Sequence, residues 1–190
     1  MTIEEFLAYQ PDDDTCYELE NGELREMPPE CDLNQRIASF LFAYFLQLGI
    51  PFYCLRIGLE VAVTGSKASV RVPDLTVLSD ESALALEGAS RSTITLDMPP
   101  PELVIEVVSP GKENIDRDYR YKRSQYQARE IREYWIVDPL TEKITIFTMN
   151  EGLYDEAVYG KADEFSTPLM QRFQADATLS VNTVLQIIEG

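Results

Sequence analysis

Apolar residues recur along this chain with two periods, and the change from one to the other marks its elements. Leu33, Ile37, Phe40, Leu41, Tyr44, Phe45 and Leu48 fall at helical spacing, which predicts an amphipathic helix over Asp32 to Leu48. Tyr17 to Met27 alternates instead, around Asn21-Gly22, a pair suited to the positive backbone angles of a tight hairpin turn. Pro28-Pro29 ends that hairpin. Thr2 and Glu5 stand in capping-box spacing at the head of a short helix reaching Tyr9. Phe52 to Val63 and Ser69 to Leu78 read as two strands joined by Thr64–Ala68, followed by a short helix or loop over Ser79 to Ala89 and a strand over Ser92 to Leu96.

The second half alternates in the same way. Pro99-Pro100-Pro101 leads into an apolar strand, Leu103 to Val108, and Ser109-Pro110-Gly111 stops it. A helix is expected over Glu113 to Arg129, with Ile115, Tyr119, Lys122 and Tyr126 along one face. Glu133 to Asp138 is a strand closed by Pro139. Lys143 to Thr148 and Tyr154 to Tyr159 continue as strands, and Ser180 heads a final helix over Val181 to Glu189. The order describes one α/β domain over residues 1–190, with a central mixed sheet flanked by helices, an N-terminal helix and hairpin, and a C-terminal β-meander.

One residue breaks the pattern. Glu106 sits inside Leu103–Val108, where both faces are apolar, as in a central strand. A buried carboxylate without a partner costs several kcal/mol or more, so something must hold it. A metal ion is one candidate and a buried Arg or Lys is the other. Asp74, within the strand-like run Val70 to Leu78, is a second acid in a similar setting. Lys122 falls on the inward face of its helix, between Tyr119 and Tyr126. Its ammonium has three outlets: Asp118 one turn earlier, Glu106 and Asp74 across the interior, or solvent at the end of an extended stem.

Composition narrows the chemistry. The chain has 190 residues and no histidine, which excludes Ser-His-Asp and Cys-His catalysis and the commonest zinc sites. Cys16, Cys31 and Cys54 form no CxxC pair and read as free thiols of a reducing compartment. The N-terminus is acidic rather than signal-like and no apolar run spans a bilayer, so a cytoplasmic protein without membrane contact is expected. A net charge of −17 argues against generic nucleic-acid binding. Seven of the 16 basic residues nevertheless lie between Lys112 and Arg132, either as a local positive patch or as a solvated helix face.

Taken in order, Pro73-Asp74, Glu106-Val107-Val108-Ser109-Pro110, Asp118-xxx-Lys122-xxx-Tyr126 and Glu133 to Pro139 resemble the Uma-two family. That family consists of restriction-endonuclease-like proteins of the PD-(D/E)XK nuclease superfamily. The resemblance covers nearly the whole chain, including Tyr17-Glu18-Leu19 and Asn21-Gly22-Glu23. It implies a restriction-endonuclease-like fold in which Asp74, Glu106 and the backbone carbonyl of Val107 ligate Mg2+ or Mn2+. Glu18 would hold the metal or a water beside it, and water would attack a phosphodiester with a lysine assisting. Where the superfamily carries that lysine, two residues after the Glu, this chain has Val108. Lys122 is the natural substitute. Asn34 matches a position where the family often has His. Gln125 and Tyr126 would support the ligands or face DNA, core packing being the stronger expectation for Tyr126.

The leading expectation is therefore a divalent-metal-dependent DNA endonuclease. DNA would meet the Lys112–Arg132 stretch together with Arg56, Lys67 and Arg71, and a homodimer could align two such surfaces across a duplex. A binding or regulatory module that kept the fold and lost catalysis accounts better for the acidity. Another metal-dependent phosphoester hydrolase is the third reading.

Overall fold

At Val72-Pro73-Asp74 the chain leaves one β-sheet and enters another, and this corner organises the molecule. In the computed structural model, residues 1–11, 15–29, 31–65, 67–109 and 117–185 are described. Helix α1 (Ile3–Ala8) opens with the expected capping box, Thr2 and Glu5 each binding the other's backbone N–H. Strands β1 (Tyr17–Glu20) and β2 (Glu23–Glu26) pair antiparallel across Asn21 and Gly22, whose φ angles are 52° and 81°. Helix α2 spans Asp32–Leu48, the span its periodicity predicts, and ends on Gly49 at φ 104°, which a side chain would strain.

The two long strands expected next are each broken. Phe52–Cys54 is a 3-10 turn, β3 is Leu55–Arg56 and β4 is Glu60–Val63, with Gly58 at φ 69° between them. Strand β5 (Ser69–Arg71) is likewise separated from β6 (Leu75–Val77). Pro73 has no N–H to give a ladder, so a strand is readily interrupted there. In both cases the halves join different sheets. Asp74 therefore lies at a corner between sheets, not inside a strand.

Helix α3 (Asp80–Ala85) and strand β7 (Thr93–Ile94) precede the central strand β8 (Leu103–Val107). The expected helix from Glu113 begins outside the described residues, as do Lys112 and Ile115. Its described part is π-helical over Arg117–Lys122 and then α-helical as α4 (Arg123–Ala128). The meander β9 (Glu133–Asp138), β10 (Lys143–Asn150) and β11 (Leu153–Gly160) forms as expected. Beyond it lie elements that no local pattern announced: β12 (Glu164–Phe165), α5 (Pro168–Phe173) and β13 (Leu179–Ser180), with β12 pairing β13. Helix α6 is described over Val181–Leu185, and the rest of its expected span lies outside the described residues.

The larger sheet runs β11-β10-β9-β8-β6-β3, with β8 and β9 parallel and the other pairs antiparallel. The smaller runs β2-β1-β5-β4-β7. This is the mixed α/β architecture expected from the sequence. Helix α2 packs Ile37, Leu41, Phe45 and Leu48 into the main core, where the Phe45 and Trp135 rings lie 5.7 Å apart. Tyr126 of α4 meets Tyr134 at 4.9 Å, and Tyr134 stacks on Phe147. Alternation along β9 thus sends Trp135 toward α2 and Tyr134 toward α4. Glu106 is level with Ile136 in the parallel pair and shares the α4 side. A separate small core of Phe6, Leu19, Ala62 and Val70 seats α1 on the smaller sheet.

Candidate functional site

Strand β8 ends beside the corner at Asp74, which bonds to its backbone there. The N–H of Val107 donates to Asp74 Oδ2 at 2.6 Å, which ties the corner to the residue after Glu106. Glu106 is 5 % exposed, yet both of its oxygens are engaged. Lys122 Nζ lies 2.7 Å from Oε2, and the Tyr126 hydroxyl donates to Oε1 at 2.7 Å. Of the three outlets open to Lys122, its ammonium takes the inward one. Its lysine stem is buried with it, at 3 % exposure. The Asp118 side chain lies outside the described residues.

A second layer of charge stands behind this pair. Glu18 accepts from the Val72 N–H at 2.9 Å and from Arg71 at 3.1 Å, and its Oε1 lies 3.9 Å from Lys122 Nζ. Arg71 is completely buried. Its guanidinium fork also reaches Glu20 at 3.1 Å and donates from Nε to Gln125 Oε1 at 2.9 Å. Burial opposes the charge on Arg71, but Glu18 and Glu20 more than offset it and hold the guanidinium more firmly protonated than usual. Burial, reinforced by the Glu106 carboxylate, pushes the Tyr126 phenol well above its ordinary range. Tyr126 therefore remains a proton donor to Glu106 at any ordinary pH.

The local sequence explains this arrangement. Glu18 and Glu20 are two apart on β1, so they share a face, and β1 pairs with β5 through Leu19 and Val70. Lys122 closes the π-helical stretch, and Tyr126 and Gln125 occupy the next turn. π-Helical turns are frequent at functional sites because they re-aim a side chain that α-helical spacing would place elsewhere.

Several expectations are corrected. Arg71 cannot contact DNA, because it is buried and spanned by Glu18, Glu20 and Gln125. Gln125 and Tyr126 are both buried, which leaves the supporting alternative of the two given for them. Tyr126 both packs in the core and bonds to Glu106. Four members of the Lys112–Arg132 stretch are engaged within the fold. Lys122 turns inward, Arg123 pairs with Glu156 at 3.2 Å, Arg129 donates to the carbonyls of Thr95 and Met98, and Arg132 reaches Glu102. Arg71 and Glu20 were the members of the network that residue types alone did not single out. Two acids at strand spacing opposite a cation on a neighbouring strand were the available signal.

Asn34, 2 % exposed on the first turns of α2, donates to Ser109 Oγ at 3.0 Å and approaches the Val107 carbonyl at 3.4 Å. It borders a cleft of about 310 Å3 whose opposite wall is Val72-Pro73-Asp74. Asp74 is half-buried and faces this cleft, whereas Glu106 is covered. Among the described residues, no three acidic or Cys side chains converge into a ready-made cation cage.

A family model described as "Putative restriction endonuclease", Uma2, matches residues 3–182. The chain belongs to the Uma2 family. A solved structure described as a putative nuclease belonging to DUF820, from Anabaena variabilis, superposes with a TM-score of 0.70. The two share 17% sequence identity over 97% of each chain, which establishes a common fold. No curated protein sequence matches the chain. This Uma2 chain therefore shares its fold with that structure, and it pairs Glu106 with Lys122 near the corner at Asp74. Among its described residues no helix is long and apolar enough to cross a membrane.

Proposed function

We propose that this Uma2 protein is a divalent-metal-dependent endonuclease that hydrolyses phosphodiester bonds in DNA. The observation that carries the reading is the 2.7 Å approach of Lys122 Nζ to Glu106 Oε2. The superfamily's lysine, absent at Val108, would thereby be supplied by Lys122 from a different element. The residues suit a hard cation. Asp74, Glu106 and the Val107 carbonyl offer only oxygen donors, and Asp74 opens on a solvent-connected cleft. Asp74, Glu106 and the Val107 carbonyl would hold Mg2+ or Mn2+, with Glu18 behind them. When bound, the cation supplies Lewis-acid stabilisation of the charge that develops on the phosphate.

The protein's own groups divide the remaining work. The Val107 N–H holds Asp74 in place, and the Tyr126 hydroxyl holds one oxygen of Glu106. Lys122 Nζ is a hydrogen-bond donor that, released from Glu106, would orient the attacking water or bond a phosphate oxygen. Arg71 offsets Glu18 and Glu20, so that Lys122 is not their sole counter-ion. The test is nicking of supercoiled plasmid DNA with Mn2+ by the wild type and by Glu106→Gln. Metal-dependent nicking that Glu106→Gln abolishes supports the proposal, and nicking that survives the substitution sinks this site.

A second reading has its own observation. Glu106 is buried with both oxygens occupied, as a satisfied structural ion pair would be. In that case the protein is a binding module on a nuclease fold, and Mn2+ would neither raise its melting temperature nor support cleavage.

A further inference from the structure

We infer that the cleft beside Asp74 receives an unstacked nucleobase, so that the substrate strand is single-stranded where it meets the site. This rests on the nuclease reading and names the substrate class for it. The cleft is bounded by α2 on one side and by the corner at Pro73 on the other. Met27, Ala38, Ile57 and Pro73 give it apolar walls, and Asn34 and Gln35 bring amides to it. None of its described lining residues is Lys or Arg, and the Asp74 carboxylate stands at its edge. A base suits this surface, because its faces are apolar and its edges carry hydrogen-bond donors and acceptors.

The dimensions agree. About 310 Å3 lies near the lower limit of small-molecule pockets, roughly 300–1,000 Å3, and has room for one heterocycle. Ile57 is 59 % exposed at the mouth, in a turn that neither sheet ladder requires, and a stacked base would cover it. Asn34 spends its amide N–H on Ser109, so Gln35, exposed on the same helical turn, is the group free to read a base edge. In a duplex that base is stacked and paired, and extracting it costs a few kcal/mol. An unpaired strand presents it without that cost. Base contacts also make binding less dependent on phosphate neutralisation, which fits a chain of net charge −17.

The experiment is fluorescence anisotropy at fixed low salt, without added metal, using the Glu106→Gln protein. Three labelled probes of equal length are compared: an oligothymidine strand, an abasic strand with the same phosphates, and a blunt duplex. The single strand should bind about tenfold more tightly than either of the others. Ser39→Trp, which fills the cleft from an exposed helix position, should reduce it to the abasic level, and Ile57→Asp should do the same from the opposite wall. Equal affinity for the strand and the abasic probe overturns the inference, as do binding to none of the probes and indifference to both substitutions. Plasmid nicking with Mn2+ separates the two levels. Nicking that persists without any base preference leaves the nuclease reading intact and removes only the base site. Absence of Mn2+-dependent cleavage of both supercoiled plasmid and circular single-stranded DNA by the wild type removes the nuclease reading itself.

Discussion

Two buried glutamates lie on adjacent parallel strands of this protein, and they are solved in opposite ways. Glu106 on β8 meets an ammonium and a phenol. Glu133 on β9, 2 % exposed, meets dipoles: the Leu169 N–H at 2.7 Å, Trp135 Nε1 at 3.1 Å and the Thr167 hydroxyl. Burial raises the Glu133 carboxyl above its ordinary 4.5, and the three hydrogen bonds and the more distant Arg172 recover only part of the cost. Glu133 anchors the first turn of α5 to the sheet. Glu106 is instead held by a charged ammonium, and Asp74 at the neighbouring corner opens on a cleft. A glutamate inside an apolar strand is thus not itself a sign of chemistry. What sets Glu106 apart is its charged partner.

The largest test of this contrast is catalytic. Glu106→Gln should lower Mn2+-supported plasmid nicking by on the order of a hundredfold to a thousandfold, whereas Glu133→Gln should leave the rate per folded molecule unchanged. Equal losses in gel-based nicking rates would erase the distinction.

Stability comes next. Lys122→Met leaves Glu106 buried without its ammonium and should cost about 3–5 kcal/mol in urea unfolding. Combining it with Glu106→Gln should restore much of that loss, because the uncompensated charge is then gone. If the two losses simply add, the pair is not coupled as its 2.7 Å separation requires.

The pH response should be gentler. A carboxyl whose folded value lies above its unfolded one favours the protonated form in the fold. The stabilisation from Glu133 is therefore fully present below the unfolded 4.5 and is lost as pH rises through the raised folded value. Denaturant titrations over that window should show stability falling with rising pH, and Glu133→Gln should flatten the slope while changing stability at neutral pH by about 1 kcal/mol or less. A slope unchanged by the substitution would assign the effect to another group.

The smallest effect concerns a thiol under the same rule. Burial, with Asp80 beside it, pushes the Cys54 thiol up to about 11, whereas Cys16 and Cys31 are exposed. Native protein treated with iodoacetamide at neutral pH should gain two adducts, on Cys16 and Cys31, and a third only on unfolding. Early labelling of Cys54, read by peptide mass, would show that this part of the fold opens readily.

Much of the architecture is legible in the residues. The helix over Asp32–Leu48, the Asn21-Gly22 hairpin, the capping box of Thr2 and Glu5, and the β9–β11 meander all follow from short-range periodicity and turn chemistry. The corners at Gly58 and Pro73 are harder to read, because alternation continues across each break while the strand changes sheets. The β12–β13 pair consists of two-residue strands, too short to carry a period. In the site, Glu106 is conspicuous because it is a charge in an apolar run. Arg71 is not, because a lone arginine in a short strand looks like an ordinary surface cation until β1 is laid beside it.

The chain alone announces which residues form elements, which faces are apolar, and that Glu106 needs a partner, because these depend on neighbours within a few positions. Which partner it takes depends on residues far apart in sequence. Glu18, Arg71, Asp74, Glu106 and Lys122 meet only after the chain has folded back through both sheets. Whether Lys122 turns to Asp118, to solvent or to Glu106 is decided by the balance of desolvation and pairing at that meeting place. That balance exists only once the two sheets and the π-helical turn enclose it.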